Sequence, residues 1–92
     1  MYLEIVSPEA TLFSGDVISV TVPGVDGEFQ MLNNHAPVVS LLQKGKVKIE
    51  GNAKVMEGHE NKFSKDNLGK TILPITSGTV EMKDNKIIVL AD

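Results

Sequence analysis

The sequence predicts an all-β fold: a small β-sandwich or flattened barrel of about eight to ten short, mostly antiparallel strands. Three observations carry that expectation. Apolar residues recur with a period of two, as in Ile18, Val20 and Val22 or Val47 and Ile49. Glycine, proline, asparagine and aspartate interrupt these runs at short intervals. No stretch carries the helical period of about 3.6 residues.

Taken in order, Tyr2-Leu3-Glu4-Ile5-Val6 reads as a first strand, closed by Ser7-Pro8-Glu9 because Pro8 has no N–H for a ladder. Ala10 to Gly15 reads as a link that tucks Leu12 and Phe13 onto the core, with Gly15-Asp16 as a turn. Val17 to Val22 reads as a strand with Ile18, Val20 and Val22 on one face and Ser19 and Thr21 on the other, stopped by Pro23-Gly24. Val38 to Leu42 is a further strand. Gln43-Lys44-Gly45 then turns into another, in which Val47 and Ile49 point inward and Lys46, Lys48 and Glu50 outward.

Gly51 to Lys70 is the least orderly stretch, read as a mobile loop or irregular hairpin with a weak strand around Lys54 to Met56. Thr71 to Thr76 is a strand whose Pro74 places it at an edge or a bulge. Thr79 to Lys83 and Lys86 to Leu90 form a hairpin across Asp84-Asn85, two residues that tolerate positive φ.

The chain is organised around Gly24 to Leu42. Gly24 to Gly27 forms a tight turn, since glycine accepts positive φ and Asp26 can bond its own backbone. Asn33-Asn34-His35-Ala36-Pro37 forms a second turn, with Pro37 holding Ala36 extended. A strand of about five residues between them sets the two loops rigidly with respect to each other. Its apolar residues Phe29, Met31 and Leu32 fit either a core or an interface.

The 92 residues suffice for one domain spanning 1–92. With no cysteine, the chain folds on apolar burial rather than on disulfides or thiolate metal sites. A net charge of -3 speaks against nucleic acid as a partner, which requires clustered positive potential. Met1 to Val6 lacks the basic and apolar regions of a signal peptide, and no run approaches the roughly 18 apolar residues of a spanning helix, so direct membrane insertion is not expected.

Candidate chemistry is sparse. His35 reads first as a turn residue satisfied by local hydrogen bonds. His59-Glu60 lacks the second histidine of a helix-borne zinc site. Asp26 and Glu28 lie two apart without facing a common substrate. Lys44, Lys46 and Lys48 read as a solvated strand face. There is no nucleophile–base pairing, phosphate-binding glycine loop or metal constellation, so neither a catalytic centre nor a cofactor is expected. One rival reading is a carrier domain bearing biotin or lipoate on Lys83, since Glu81-Met82-Lys83 stands beside a turn. Asp84 stands where a biotin carrier usually places a second methionine.

Several segments together resemble the N-terminal domain of the ATP synthase epsilon subunit. They are Ser7-Pro8-Glu9, Leu12-Phe13-Ser14-Gly15-Asp16, Gly27 to Pro37, Ser77 to Glu81 and Val89-Leu90-Ala91-Asp92. The resemblance covers Leu3 to Lys48 and Ile75 to Asp92 in order. It implies a β-sandwich in the central stalk of an F-type ATP synthase, without an active site, that turns with the gamma subunit and the c-subunit ring. By the same resemblance Asp26, Gly27 and Glu28 meet the c ring. Ser7, Asn33, Asn34, His35, Ala36, Pro37 and Ser40 meet gamma. The implied location is peripheral, at the cytoplasmic face of the cell inner membrane.

Two departures qualify the likeness. Many relatives carry a Gly-Ile-Tyr-Pro-Gly run where this chain has Gln30 to Asn34, and Asn can take the left-handed positions that Gly would occupy. Gly51 to Lys70 is longer than the corresponding connection in many relatives. The two-helix hairpin that follows the sandwich in many relatives is not expected here, so the resemblance implies neither a nucleotide site nor an inhibitory helix.

Overall fold

The computed structural model describes residues 1–51 and 55–92. Ten strands follow in chain order: β1 (Tyr2–Val6), β2 (Thr11–Asp16), β3 (Ser19–Gly24), β4 (Gly27–Leu32), β5 (Val38–Leu42), β6 (Gly45–Glu50), β7 (Ser64–Lys65), β8 (Thr71–Ile75), β9 (Gly78–Lys83) and β10 (Lys86–Ala91). A single 3-10 turn, Glu60–Lys62, is the one helical element among the described residues. The fold is all-β, as the alternation predicts.

The strands form one ladder ordered β2-β1-β10-β9-β5-β3-β6-β8-β7, with β4 on the other edge of β3. All pairings are antiparallel except β1 with β10. The ladder folds over where β5 and β3 share only the Gly24–Leu42 pair. Two five-stranded halves result, β2-β1-β10-β9-β5 and β4-β3-β6-β8-β7. Their inner faces build one core from Leu3, Ile5, Phe13, Val80, Met82, Ile87 and Val89 on one side and Val20, Val22, Met31, Val47, Ile49, Leu73 and Ile75 on the other.

The predicted hairpin of β9 and β10 is present, with Asp84 and Asn85 at φ 52° and 61°. Both values are left-handed, which matches the right-handed twist of the flanking strands. Ser7 to Ala10 forms the turn that closes β1, with reciprocal backbone bonds between Ser7 and Ala10. Pro74 lies on an open edge, because β7 covers only Thr71 and Ile72.

Several expectations are corrected. Thr11 to Asp16 is a strand, not a link, paired along β1 with a bulge at Val6. Leu12 and Phe13 are nevertheless buried, as expected. Pro23 and Gly24 do not stop β3 but continue its ladder opposite Glu28 and Gly27. The missing N–H of Pro23 does no harm there, and its carbonyl still accepts the Gln43 N–H at 2.9 Å. Ile18 does not share the inward face of Val20 and Val22: it precedes the ladder at a bend and is 61% exposed. β3 is buried on both faces. Its outward Ser19 donates to Glu50 Oε1 at 3.2 Å, and a Lys48–Glu28 ion pair reaches across the strand near Thr21.

In the stretch from Gly51 to Lys70, the expected weak strand begins at Lys54, outside the described residues. Val55 makes an isolated bridge to Phe13, and the Phe63 ring lies 6.3 Å from that of Phe13, so this stretch contributes ordered packing rather than loop alone. Asp66 closes its last turn by accepting the N–H groups of Lys70 at 2.8 Å and Leu68 at 2.9 Å. Those bonds, Lys70 first, hold the Asp66 carboxyl below its ordinary value against an opposing desolvation. A depressed carboxylate stabilises the folded form above its unfolded pKa of about 3.9 and loses that contribution as pH falls through the lower folded value. In an NMR titration, the Leu68 and Lys70 amide shifts are expected to move together with a midpoint below about 3.9. A midpoint at or above that value would show that the carboxylate does not hold the turn.

Candidate functional site

The β3–β4 hairpin ends on Val25 and Asp26, with Gly27 at φ 128°. Gly24 has to be glycine for space: a Cβ there would lie 2.8 Å from the Gly27 carbonyl oxygen and 2.9 Å from the Phe29 ring. The hairpin tip leans on β5 through the Val25 N–H to the Leu41 carbonyl, 3.1 Å. Asp26, Gly27 and Glu28 are all exposed. Glu28 Oε2 stands 3.1 Å from Lys48 Nζ, so Lys48 is not simply one of a solvated row. Asp26 has no ion-pair partner among the described residues.

The second turn puts Asn34 at φ 62° and is closed by the His35 N–H to the Leu32 carbonyl, 3.0 Å. His35 Nδ1 lies 2.7 Å from the Ala36 carbonyl, which can only accept, so Nδ1 carries the proton. His35 is thus satisfied locally, as the residue reading held. Asn33 and Asn34 are tied to Asn85 at the apex of the β9–β10 hairpin.

The two loops meet. Asp26, Glu28, Phe29, His35, Val39 and Ser40 line one shallow depression of about 410 Å³. Ser40 sits on the inward side of β5 and donates to the Leu41 carbonyl. Ser7 lies elsewhere, on the wall of a separate cavity of about 400 Å³ with Leu12, Lys62 and Ile75, and its hydroxyl bonds Ala10. The apolar trio divides: Met31 is fully buried, Phe29 packs partly against the core, and Leu32 is exposed.

The outer face of the β2-β1-β10-β9-β5 half lies outside the residues that the sequence singles out. The register lines up Val6, Leu90, Thr79 and Leu41 in one row and Glu4, Ile88, Glu81 and Val39 in the next. A third row holds Tyr2, Lys86 and Lys83, with the Lys86 ammonium 5.6 Å from the centre of the Tyr2 ring. Val39 is 77% exposed, Leu41 62% and Leu90 51%. The outer face of the other half carries Glu28, Gln30, Leu32, Lys46, Lys48 and Glu50, with Pro74 opposite Lys46. Val39, Leu41 and Leu90 are therefore exposed aliphatic side chains on a face they share with Thr79, Glu4 and Glu81. The signal was present in Val38-Val39-Ser40-Leu41-Leu42 and Ile87-Ile88-Val89-Leu90, which are apolar in both phases of the alternation.

Among the described residues no group of three or more His, Cys, Asp or Glu side chains comes together. Among them also, no helix is long and apolar enough to cross a membrane. Lys83 ends β9, and the apex of its hairpin belongs to Asp84 and Asn85.

The sequence model of the family described as "ATP synthase, Delta/Epsilon chain, beta-sandwich domain" matches residues 1–92. The chain belongs to the ATP synthase delta/epsilon family. Its curated relatives include the ATP synthase epsilon chain of Campylobacter curvus, 38% identical over 92 residues, which are 100% of this chain and 60% of that protein. The epsilon chain of Chlorobium limicola is 37% identical over 90 residues, covering 98% of this chain and 86% of that one. This delta/epsilon-family chain therefore spans less than two thirds of the Campylobacter relative. Among solved structures, the central stalk and c-ring of the Tetrahymena thermophila mitochondrial ATP synthase contains a chain with the same fold. The TM-score is 0.73 at 18% identity, over 99% of this chain and 62% of that chain.

Proposed function

We propose that this delta/epsilon-family chain is a non-catalytic rotor subunit of an F-type ATP synthase, bound to gamma and seated on the c ring. Proton flow turns the ring, and the chain turns with gamma, which drives ATP synthesis in the catalytic subunits. The observation that carries this reading is the set of exposed aliphatic side chains Val39, Leu41 and Leu90 on one outer face of a chain of this family. Covering apolar area is worth about 25 cal/mol per Å², and a standard interface buries about 800 Å² per partner. A stiff, close-packed sandwich suits a part that passes on torque, because a packed interior deforms little.

In this reading gamma covers the Val39–Leu41–Leu90 face, joined by Ser7 and Asn33 to Pro37 at its margins, and reaches Ser40 in the depression on the other side of β5. Asp26, Gly27 and Glu28 meet polar loops of the c ring by charge-assisted hydrogen bonds from their exposed hairpin. The chain is peripheral, at the cytoplasmic face of the inner membrane. The carrier reading has less support, since Lys83 lies on a strand end and not at the hairpin apex.

Affinity capture of the chain from detergent-solubilised membranes tests the assignment, with gamma and the c ring both expected to come down. Glu28→Lys is expected to lower c-ring recovery while gamma stays. It reverses the charge at the hairpin and sets two ammonium groups side by side. The surface pair with Lys48 is worth at most about 1 kcal/mol, so the isolated fold survives. Wild-type recovery of the c ring with this variant would remove Glu28 from the contact, and absence of gamma from the wild-type capture would sink the whole reading.

A further inference from the structure

We infer that Asn85 is a positioning residue: its side-chain amide latches the Asn33–Pro37 turn to the β9–β10 hairpin and so sets the shape that the turn offers to gamma. The inference rests on the proposed gamma contact and adds a residue that neither the motif nor the exposed face includes.

The geometry is specific. Asn85 is separated from the turn by more than 50 positions in sequence, yet the Asn34 N–H donates to Asn85 Oδ1 at 2.7 Å and Asn85 Nδ2 donates to Asn33 Oδ1 at 2.9 Å. The backbone N–H of Asn34 can only donate, which fixes Oδ1 as the acceptor and leaves Nδ2 facing Asn33. Both ends of one amide are thereby used on one turn. The backbone of Asn85 is itself anchored, since its carbonyl accepts the Tyr2 N–H at 3.1 Å and its φ of 61° places it within the tight hairpin turn. Three segments of the chain meet at this residue: the start of β1, the β9–β10 apex and the turn before β5.

The latch also gives a physical reason for the Asn33-Asn34 pair. Asn34 takes φ 62°, which Asn tolerates as Gly does. Asn33 supplies a side-chain oxygen that a small or ring-closed residue lacks. Without the amide of Asn85, the cross-link left to the turn among the described residues is the His35 N–H to Leu32 carbonyl bond, with the His35 ring bonded to the adjacent Ala36. A turn so held samples more conformers, and docking then has to order it.

Asn85→Gly removes the amide while suiting the left-handed backbone, so the hairpin and the sandwich are retained. Asn85→Asp is the rescue variant. Its carboxylate still accepts from the Asn34 N–H, and the Asn33 amide can rotate to donate to the second oxygen.

The test uses the full chain, with backbone order parameters of Asn34 and His35 measured by NMR and affinity measured for purified gamma of the same enzyme. For Asn85→Gly the expected results are order parameters falling from about 0.85 toward 0.6 and gamma binding weakened about fivefold, with Asn85→Asp near wild type in both. Asn33→Ala combined with Asn85→Gly should weaken binding no further than Asn85→Gly alone, because the two side chains act as one unit. Unchanged order parameters in Asn85→Gly overturn the latch. A loosened turn with undiminished gamma affinity overturns its positioning role. Failure of the wild-type chain to bind gamma would instead strike at the proposed function.

Discussion

Phe13→Ala is expected to lower stability by about 3–5 kcal/mol, a large share of the about 5–15 kcal/mol that small domains possess. Phe13 is fully buried, although it stands on β2, the outermost strand of its half of the ladder. Its backbone pairs with Ile5 and bridges to Val55, and its ring lies 6.3 Å from Phe63 at a tilt of 40°. One side chain thus joins β2, the core and the segment that follows β6. Truncation removes the transfer free energy of a benzyl group and leaves a cavity where several elements meet, which limits collapse. A fall in melting temperature of about 15 °C or more is expected, read by circular dichroism. Phe13→Leu keeps part of the volume and should recover at least half of the loss. A melting temperature within a few degrees of wild type for Phe13→Ala would show that β2 is held by its ladder alone.

The same residue shows where the sequence is legible and where it is not. Alternation reveals β6, where Val47 and Ile49 face in and Lys46, Lys48 and Glu50 face out, while the β9–β10 hairpin is legible from the turn chemistry of Asp84-Asn85. Leu12 and Phe13 are adjacent and both buried, a pattern that defeats a period-two reading. Pro23 and Gly24 are local stop signals, yet β3 has neighbours on both edges, and tertiary pairing carries the ladder through them. Ile18 has the right phase for the core but falls before the first ladder residue.

At the candidate site, the two turns are readable from Gly24, Gly27, Asn34 and Pro37 because turn chemistry is local. Their meeting in one depression depends on how β5 lies against the β3–β4 hairpin, which no local pattern encodes. Asn85 is readable only as a turn former, since its bonds to Asn33 and Asn34 bridge distant parts of the chain.

If gamma docks on the outer face of β5 and β9 as proposed, Val39→Lys is expected to abolish that docking while leaving the sandwich intact. Val39 is 77% exposed and stands directly opposite Glu81 on β9. A lysine there faces a carboxylate across the strands, a pairing that is neutral or mildly favourable, so the change in fold stability should stay within about 0.5 kcal/mol. Docking is another matter. The aliphatic contact is lost, and an ammonium has to be stripped of water beside Leu41 and Ile88 or the face held away from gamma. Loss of about 3 kcal/mol, or roughly a hundredfold in affinity, follows from a central interface position, and it should appear mainly in the dissociation rate. Lys46→Glu, on the charged outer face of the other half, is the matched control: it also changes one exposed side chain, and gamma affinity should not move. If Val39→Lys binds gamma as tightly as the wild type, the aliphatic face is not the docking surface, whatever the Lys46 control shows. If both variants lose affinity equally, net charge is not the cause, because Val39→Lys adds one positive charge and Lys46→Glu takes away two, and no single face could then be assigned to gamma.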